Sequence, residues 1–261
     1  TQLATGHRHQ QDAVLLMSCL HYGEIVDDEA TMGLGGYDLD RAAARWQYTV
    51  DASIDLARNH HSGENIDTLW VVDLGDNISG TIHDELTITN ARTLAEQIVE
   101  GAALLAAGVR DLAASFRRVV FVGTVGNHGR FEKKPYFKDK FNTADWVIYK
   151  FLETLLADQR NVSFVIPRSP WVTADIRGHE FFFAHGDAIR MFLQFPWYDT
   201  ARLIAQMTQL LVGQGKKAPR YWGFGHYHNA TVSQLAHGEH LFTGSFKGSD
   251  EYSLNRLRAG G

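Results

Sequence analysis

Short apolar runs recur along the chain at 13–18, 69–74, 118–123, 162–166, 180–184, 220–224 and 240–243, most of them bounded by Gly, Asp or His. They are rich in Val, Phe and Trp and lack strict polar/apolar alternation, so they read as strands covered on both faces. Helical patterns lie between them. The clearest places Leu94, Ile98, Leu105, Val109, Leu112 and Phe116 on one stripe, with Asn90 or Thr89 as N-cap. Weaker stripes are Trp46, Val50, Ile54 and Ala57; Ala144, Val147, Phe151 and Leu155 after an Asn142 cap; and Leu203, Met207 and Leu210 after Asp199. Strands alternating with helices predict an α/β fold in which each apolar stripe lies on a sheet. The stretch 129–141, with Arg130, Lys133, Lys134, Lys138 and Lys140, reads as a basic surface loop.

At 261 residues and 44% hydrophobic, the chain suits one large globular domain, expected over 13–261 after a polar tail at 1–12. No apolar run approaches the roughly 18 residues needed to cross a bilayer, so no membrane partner is expected. Lacking an initiator methionine, the chain reads as a processed product or a piece of something longer. The lone cysteine, Cys19, excludes an internal disulfide framework and makes the cytoplasm the default compartment. A net charge of −5 excludes the global basic footprint that drives non-specific nucleic-acid binding. Any affinity for phosphate must therefore be local.

Strand C-termini are where α/β sheets place their sites. Here the run 69–74 leads into Gly75-Asp76-Asn77, 118–123 into Gly126-Asn127-His128-Gly129, 180–184 into His185-Gly186-Asp187, and 220–224 into Gly225-His226-Tyr227-His228. The first run, 13–18, leads into Cys19-Leu20-His21-Tyr22-Gly23. Each motif alone is weak, because Gly-Asp is an ordinary turn. His226 and His228, two apart in an extended segment, would share a face while Tyr227 points away. Ligand-type side chains at every one of these strand ends are not what unrelated turns supply.

In this order the motifs resemble the calcineurin-like metallophosphoesterases, whose signature runs Asp-x-His, Gly-Asp, Gly-Asn-His-(Asp/Glu), His, Gly-His-x-His. The resemblance spans 13 to about 248, nearly the whole chain, and is nearest to phage and bacterial members. It implies a sandwich of two mixed β-sheets flanked by helices, and two divalent metal ions, manganese first, with zinc, iron or magnesium as alternatives. Carried over by motif, Cys19, His21, Asp76 and His228 would hold one metal, while Asp76 bridges to a second held by Asn127, His185 and His226. His128 would sit over the site as the catalytic proton donor. Two such ions polarise a phosphoryl oxygen and make hydroxide from a bridging water near neutral pH, and His128 supplies a proton that they cannot.

Two positions depart from the family. Its first Asp is Cys19 here, a soft thiolate ligand that favours Zn or Fe, or else a small buried hydrophobe beside a weakened site. The acid after Asn-His is replaced by Gly129-Arg130, where Arg130 offers a planar donor for phosphate, or is a solvated surface arginine. Further candidates for substrate contact are His83 and Lys247. Phe195, Trp197 and Tyr198 form an aromatic wall or, more simply, pack.

The expected activity is a two-metal phosphoesterase, a hydrolase acting on phosphodiesters with DNA or RNA as the leading partner and thus a candidate nuclease. Two alternatives stand beside it. One is a phosphomonoesterase or nucleotide phosphatase on small substrates. The other is a non-catalytic metal- or phosphate-binding module with a degenerate first metal position at Cys19. The sequence says nothing about oligomeric state.

Overall fold

The first four strands, β1 (Gln11–Met17), β2 (Ile66–Asp73), β3 (Arg118–Gly123) and β4 (Val162–Val165), pair in parallel in their sequence order. This is seen in a computed structural model, which describes residues 11–60, 66–135, 137–193 and 196–254. Right-handed crossovers between strands that are neighbours in such an order put every connecting helix on the same face. The connections are α1 (Leu39–Asn59), the short α2 (Leu86–Thr89) with α3 (Leu94–Ser115), and α4 (Ala144–Leu155), and α3 packs against both α1 and α4. The opposite face is left for a second sheet.

That second sheet contains β5 (Trp171–Ile176), β6 (His179–Ala184), β7 (Tyr221–Phe224), β8 (Thr231–Leu235) and β9 (Gly238–Phe242), in the order β5-β6-β7-β9-β8. Its three central strands are parallel, and the edge strands β5 and β8 run antiparallel to β6 and β9. Helix α5 (Trp197–Gly213) links β6 to β7. The expected pair of sheets flanked by helices is thus present. No described helix is long and apolar enough to cross a membrane.

Three apolar clusters separate the layers. Leu69 and Val71 of β2 and Val119 and Phe121 of β3 meet Trp46, Leu105, Val109 and Ile148 of the helices. The alternate residues Val72, Val120 and Val122, joined by Leu74, meet Val172, Ile176 and Phe183 between the sheets. A strand buried on both faces has no polar side to show, which is why these runs lack alternation. The third cluster, with Phe182, Trp222, Phe224 and Phe242, lies between the second sheet and α5.

The structure corrects several local expectations. β5 and β8 did not stand out as apolar runs, since an edge strand such as Thr231–Leu235 carries polar residues at Thr231, Ser233 and Gln234 and exposes every second residue. Helix α3 is capped by Thr93, not Asn90 or Thr89, through a capping box with Glu96, while Asn90 Nδ2 donates to the Gly80 carbonyl at 2.8 Å. Helix α4 is capped by Thr143 rather than Asn142, and it buries Ile148, Tyr149 and Leu152 while Phe151 and Leu155 face outward. Helix α5 starts after Pro196 with no side-chain cap, and Leu210 is exposed. Phe195 lies outside the described residues.

Candidate metal centre

Beyond β1 and β2 the two chains continue side by side. Cys19 N donates to the Gly75 carbonyl (2.9 Å), His21 N to Asp76 O (3.0 Å) and Tyr22 N to Asn77 O (2.9 Å). To hold this pairing and still turn side chains inward, the backbone enters the left-handed region at Cys19 (φ 57°), His21 (48°) and Asp76 (58°). It does so again after β7 at His226 (70°) and His228 (54°). Left-handed geometry costs a non-glycine residue about 1–2 kcal/mol, and such strain gathers where surrounding structure enforces a functional arrangement. Five of the nine described non-glycine residues with positive φ are candidate ligands.

One buried carboxylate clips these loops together. Asp145, in the first turn of α4, accepts from Asp76 N (3.2 Å), Asn77 N (2.9 Å), Asn77 Nδ2 (3.0 Å) and Gly126 N (2.8 Å). The loops after β2 and β3 touch backbone to backbone, since a Cβ on Gly75 would stand 2.2 Å from Gly126 N. Both glycines are therefore required by the close approach.

The side chains converge on Asp76. His185 Nε2 lies 2.9 Å from Asp76 Oδ2 and 3.1 Å from Asn127 Oδ1. The Asp76 Oδ1 atom accepts from His128 N at 2.7 Å. On the other side, His21 Nε2 and His228 Nε2 are 3.2 Å apart. Candidate ligand atoms lie within 4.8 Å of one another in three groups: Cys19, His21 and His228; Cys19, Asp76 and His185; and His21, Asp76 and His128. The His226 ring stands 5.1 Å from that of His185. His226 and His228 both reach this cluster through left-handed backbone, not by the two-residue period of an extended segment, His226 beside His185 and His228 beside His21. Tyr227 turns away to donate its hydroxyl to the Ile189 carbonyl.

Protonation follows from burial and these neighbours. Burial and the His128 charge push His21 well below the ordinary imidazole range. Burial, aided by His185, takes His226 to about 4, and burial with Lys247 takes His228 to about 3. All three are neutral imidazoles, the form that binds metal. Burial opposes the charge on His185, but the Asp76 carboxylate and the Leu74 carbonyl outweigh it and lift the group to about 9. Asp76 lies well below the carboxylate range despite burial, through His185 and His128. The Cys19 thiol is pushed far up, first by burial and then by Asp76.

These residues fit divalent cations. His185 Nδ1 points at the Leu74 carbonyl (2.8 Å), so its Nε2 carries the lone pair whenever the ring is neutral, and that lone pair faces two acceptor oxygens. Such a convergence of acceptors is stable only around a proton or a metal ion. His21 Nδ1, buried without a hydrogen-bond partner, faces the Glu24 carboxylate at 3.8 Å. Cys19 is fully buried and inside the cluster, its sulfur accepting from Ser18 Oγ at 3.1 Å. A cation beside it would supply what burial denies the thiolate.

Other expected residues surround this cluster. His128 Nδ1 is 2.8 Å from the Ser79 carbonyl, and its ring is 4.5 Å from His21 and 5.5 Å from His83. A cavity of about 370 Å³ opens here, lined by His83, His128, His228, Lys247 and Tyr252 among others. Lys247 is a wall of that cavity, yet its ammonium is committed to Glu24 (2.8 Å) and Asp250 (2.5 Å). Arg130 lines a second cavity, of about 600 Å³, on the far side of Asn127 and His226. Trp197 packs on His240 and Phe242, and neither it nor Tyr198 lines either cavity.

Sequence reasoning missed Asp145 and Glu24, and also Asp73, a buried carboxylate on β2. An acid in the first turn of a helix, as Asp145 is, is an ordinary helix signal, and nothing in the order of residues marks Glu24 or Asp73 as buried.

No family model and no curated protein matches the chain. Among solved structures, it is similar to an archaeal phosphodiesterase (11% identity over 77% of this chain and 76% of that one, TM-score 0.37). It is also similar to a hypothetical protein of Pyrococcus horikoshii (9%, 91% and 77%, TM-score 0.41). A third is the phosphopantetheinyl hydrolase of Mycobacterium tuberculosis (10%, 94% and 93%, TM-score 0.35).

Proposed function

We propose that this protein is a two-metal phosphoesterase acting on phosphodiesters. The observation that carries the reading is the overlap of ligand groups at Asp76. Asp76 groups with Cys19 and His185 and also with His21 and His128, its Oδ2 is 2.9 Å from the same His185 Nε2 that meets Asn127 Oδ1, and Cys19 and His21 form a further group with His228. Cys19, His21 and His228 with Asp76 would hold one ion, and Asn127, His185 and His226 with Asp76 the other. When bound, two divalent ions there would polarise a phosphoryl oxygen and acidify the attacking water.

The remaining work falls to the chain itself. His128 is anchored through Nδ1 to the Ser79 carbonyl, so Nε2 is the atom free to exchange a proton, and as an imidazolium the ring would pass that proton to the departing ester oxygen. Exposed His83 stands beside it at the mouth and is placed to contact substrate. Asn127 and the three neutral histidines add no negative charge, which keeps an anionic ester from being repelled. Cavities on both sides of the cluster leave room for a group on each side of the phosphorus, and this favours a diester over a monoester.

The test is to load the protein with manganese and compare bis-p-nitrophenyl phosphate with p-nitrophenyl phosphate, measuring bound metal per chain in parallel. About two ions per chain and preference for the diester are expected. A preference for the monoester defeats the diesterase assignment, and well under one ion per chain defeats the enzyme reading in favour of a binding module.

A further inference from the structure

The larger cavity differs from the smaller one in what it offers. Behind Asn127, His185 and His226 its floor is apolar, formed by Trp171, Phe182, Phe224, Leu203, Met207 and Ile189. Trp171 and Phe182 stack there at 5.5 Å and 21°. One wall is α5, of whose 17 residues only Thr200 and Leu211 are buried, and its half-buried Leu203 and Met207 line the cavity. At the rim, Phe137 is 95% exposed.

Charge at this rim is just as specific. Lys140 is neutralised by Asp187 at 2.6 Å. Arg130 and Arg190 both line the cavity, and neither side chain makes an ion pair or hydrogen bond among the described residues. Arg130 Nε is buried without a partner. An apolar, aromatic-walled cavity with two free guanidinium groups, opening directly onto a phosphate-type site, suits a flat aromatic body joined to anionic oxygens.

We propose that this cavity binds the nucleoside arm of a phosphodiester, its base against the aromatic floor and its phosphate oxygens beside Arg130 and Arg190. The proposal rests on the phosphoesterase reading and names the substrate class for that site. With a net charge of −5, the chain reads an arm of the substrate by this local cavity and not a polymer by a basic face.

The experiment is calorimetric titration of manganese-loaded protein with thymidine 5′-monophosphate and with deoxyribose 5-phosphate, which lacks the base. The nucleotide is expected to bind about tenfold more tightly, the scale of one base–aromatic stack. Leu203→Trp, which fills the cavity, should erase that difference, and Phe137→Ala, at an exposed position that cannot unfold the protein, should reduce it several-fold. Equal binding of the two ligands, or a difference untouched by Phe137→Ala and Leu203→Trp, overturns the proposal. Hydrolysis of bis-p-nitrophenyl phosphate without base-dependent binding sinks this proposal alone. Base-dependent binding without hydrolysis sinks the phosphoesterase reading alone. Hydrolysis of thymidylyl-thymidine against an oligothymidylate then tells a free dinucleotide from a strand as the source of the arm.

Discussion

Cys19 carries the largest chemical question in the site. A buried thiol beside a carboxylate resists ionisation, and its neighbours Asp76, His21 and His228 are all ligand types. In a plain core such a cysteine would be ringed by apolar groups. Here a cation would convert it to thiolate and select softer metals than an aspartate would. Cobalt-loaded protein should therefore show thiolate-to-metal charge-transfer absorption that Cys19→Asp abolishes without lowering bound metal. Cys19→Ala should weaken zinc at that position beyond the ~10–100-fold typical of losing a group that only orients a ligand. A wild-type spectrum without the band would remove Cys19 from the ligand set. Lys247 shows the reverse case, a cation expected to meet substrate that is already held by Glu24 and Asp250, and so shapes the wall behind His21.

At the scale of elements, the site is an assembly of strand ends held by a helix start. Asp145 lets α4 grip the loops after β2 and β3, and removing its carboxylate strands the backbone N–H groups of Asp76, Asn77 and Gly126 in a buried setting. Each stranded donor costs about 1–3 kcal/mol. Asp145→Ala should therefore lower stability by at least ~2 kcal/mol in urea titration and reduce metal content too. A change within about 0.5 kcal/mol, the range of ordinary surface substitutions, would show that the loops hold without it. The candidate ligand positions stand out at this scale because parallel strands deliver their C-termini to one edge. The left-handed turns at His226 and His228 were not, because the tertiary pairing of loops imposes them against local preference.

Across the whole molecule, layers of helices, sheet, sheet and helix bury polar groups as well as apolar ones. Asp73 is fully buried on β2, and burial, with Asp145 adding its charge, raises it to about 7. The folded state thus keeps a proton that the unfolded chain releases near its ordinary value of 3.8. Stability from this group is present below that ordinary value, declines as pH rises through the window up to about 7, and is level above it. Metal-free protein should show a falling melting temperature between about pH 5 and pH 7, and Asp73→Asn should flatten that part of the curve. An unchanged slope in the variant assigns the effect to another group.

The apolar runs were enough to read an α/β fold and seven of its nine described strands, while the pair of sheets and the types of residue expected in its site came with the family resemblance of the motifs that follow those runs. Those features are local: a strand buried on both faces is apolar throughout, and a parallel strand ends where a site can form. The edge strands, the cap of each helix and the burial of Asp73, Glu24 and Asp145 were left to the tertiary structure, as was the cavity beneath α5. Each depends on how closely distant segments approach, and the distance between Asp145 and Gly126, or between α5 and its sheet, is not a property of any stretch of sequence.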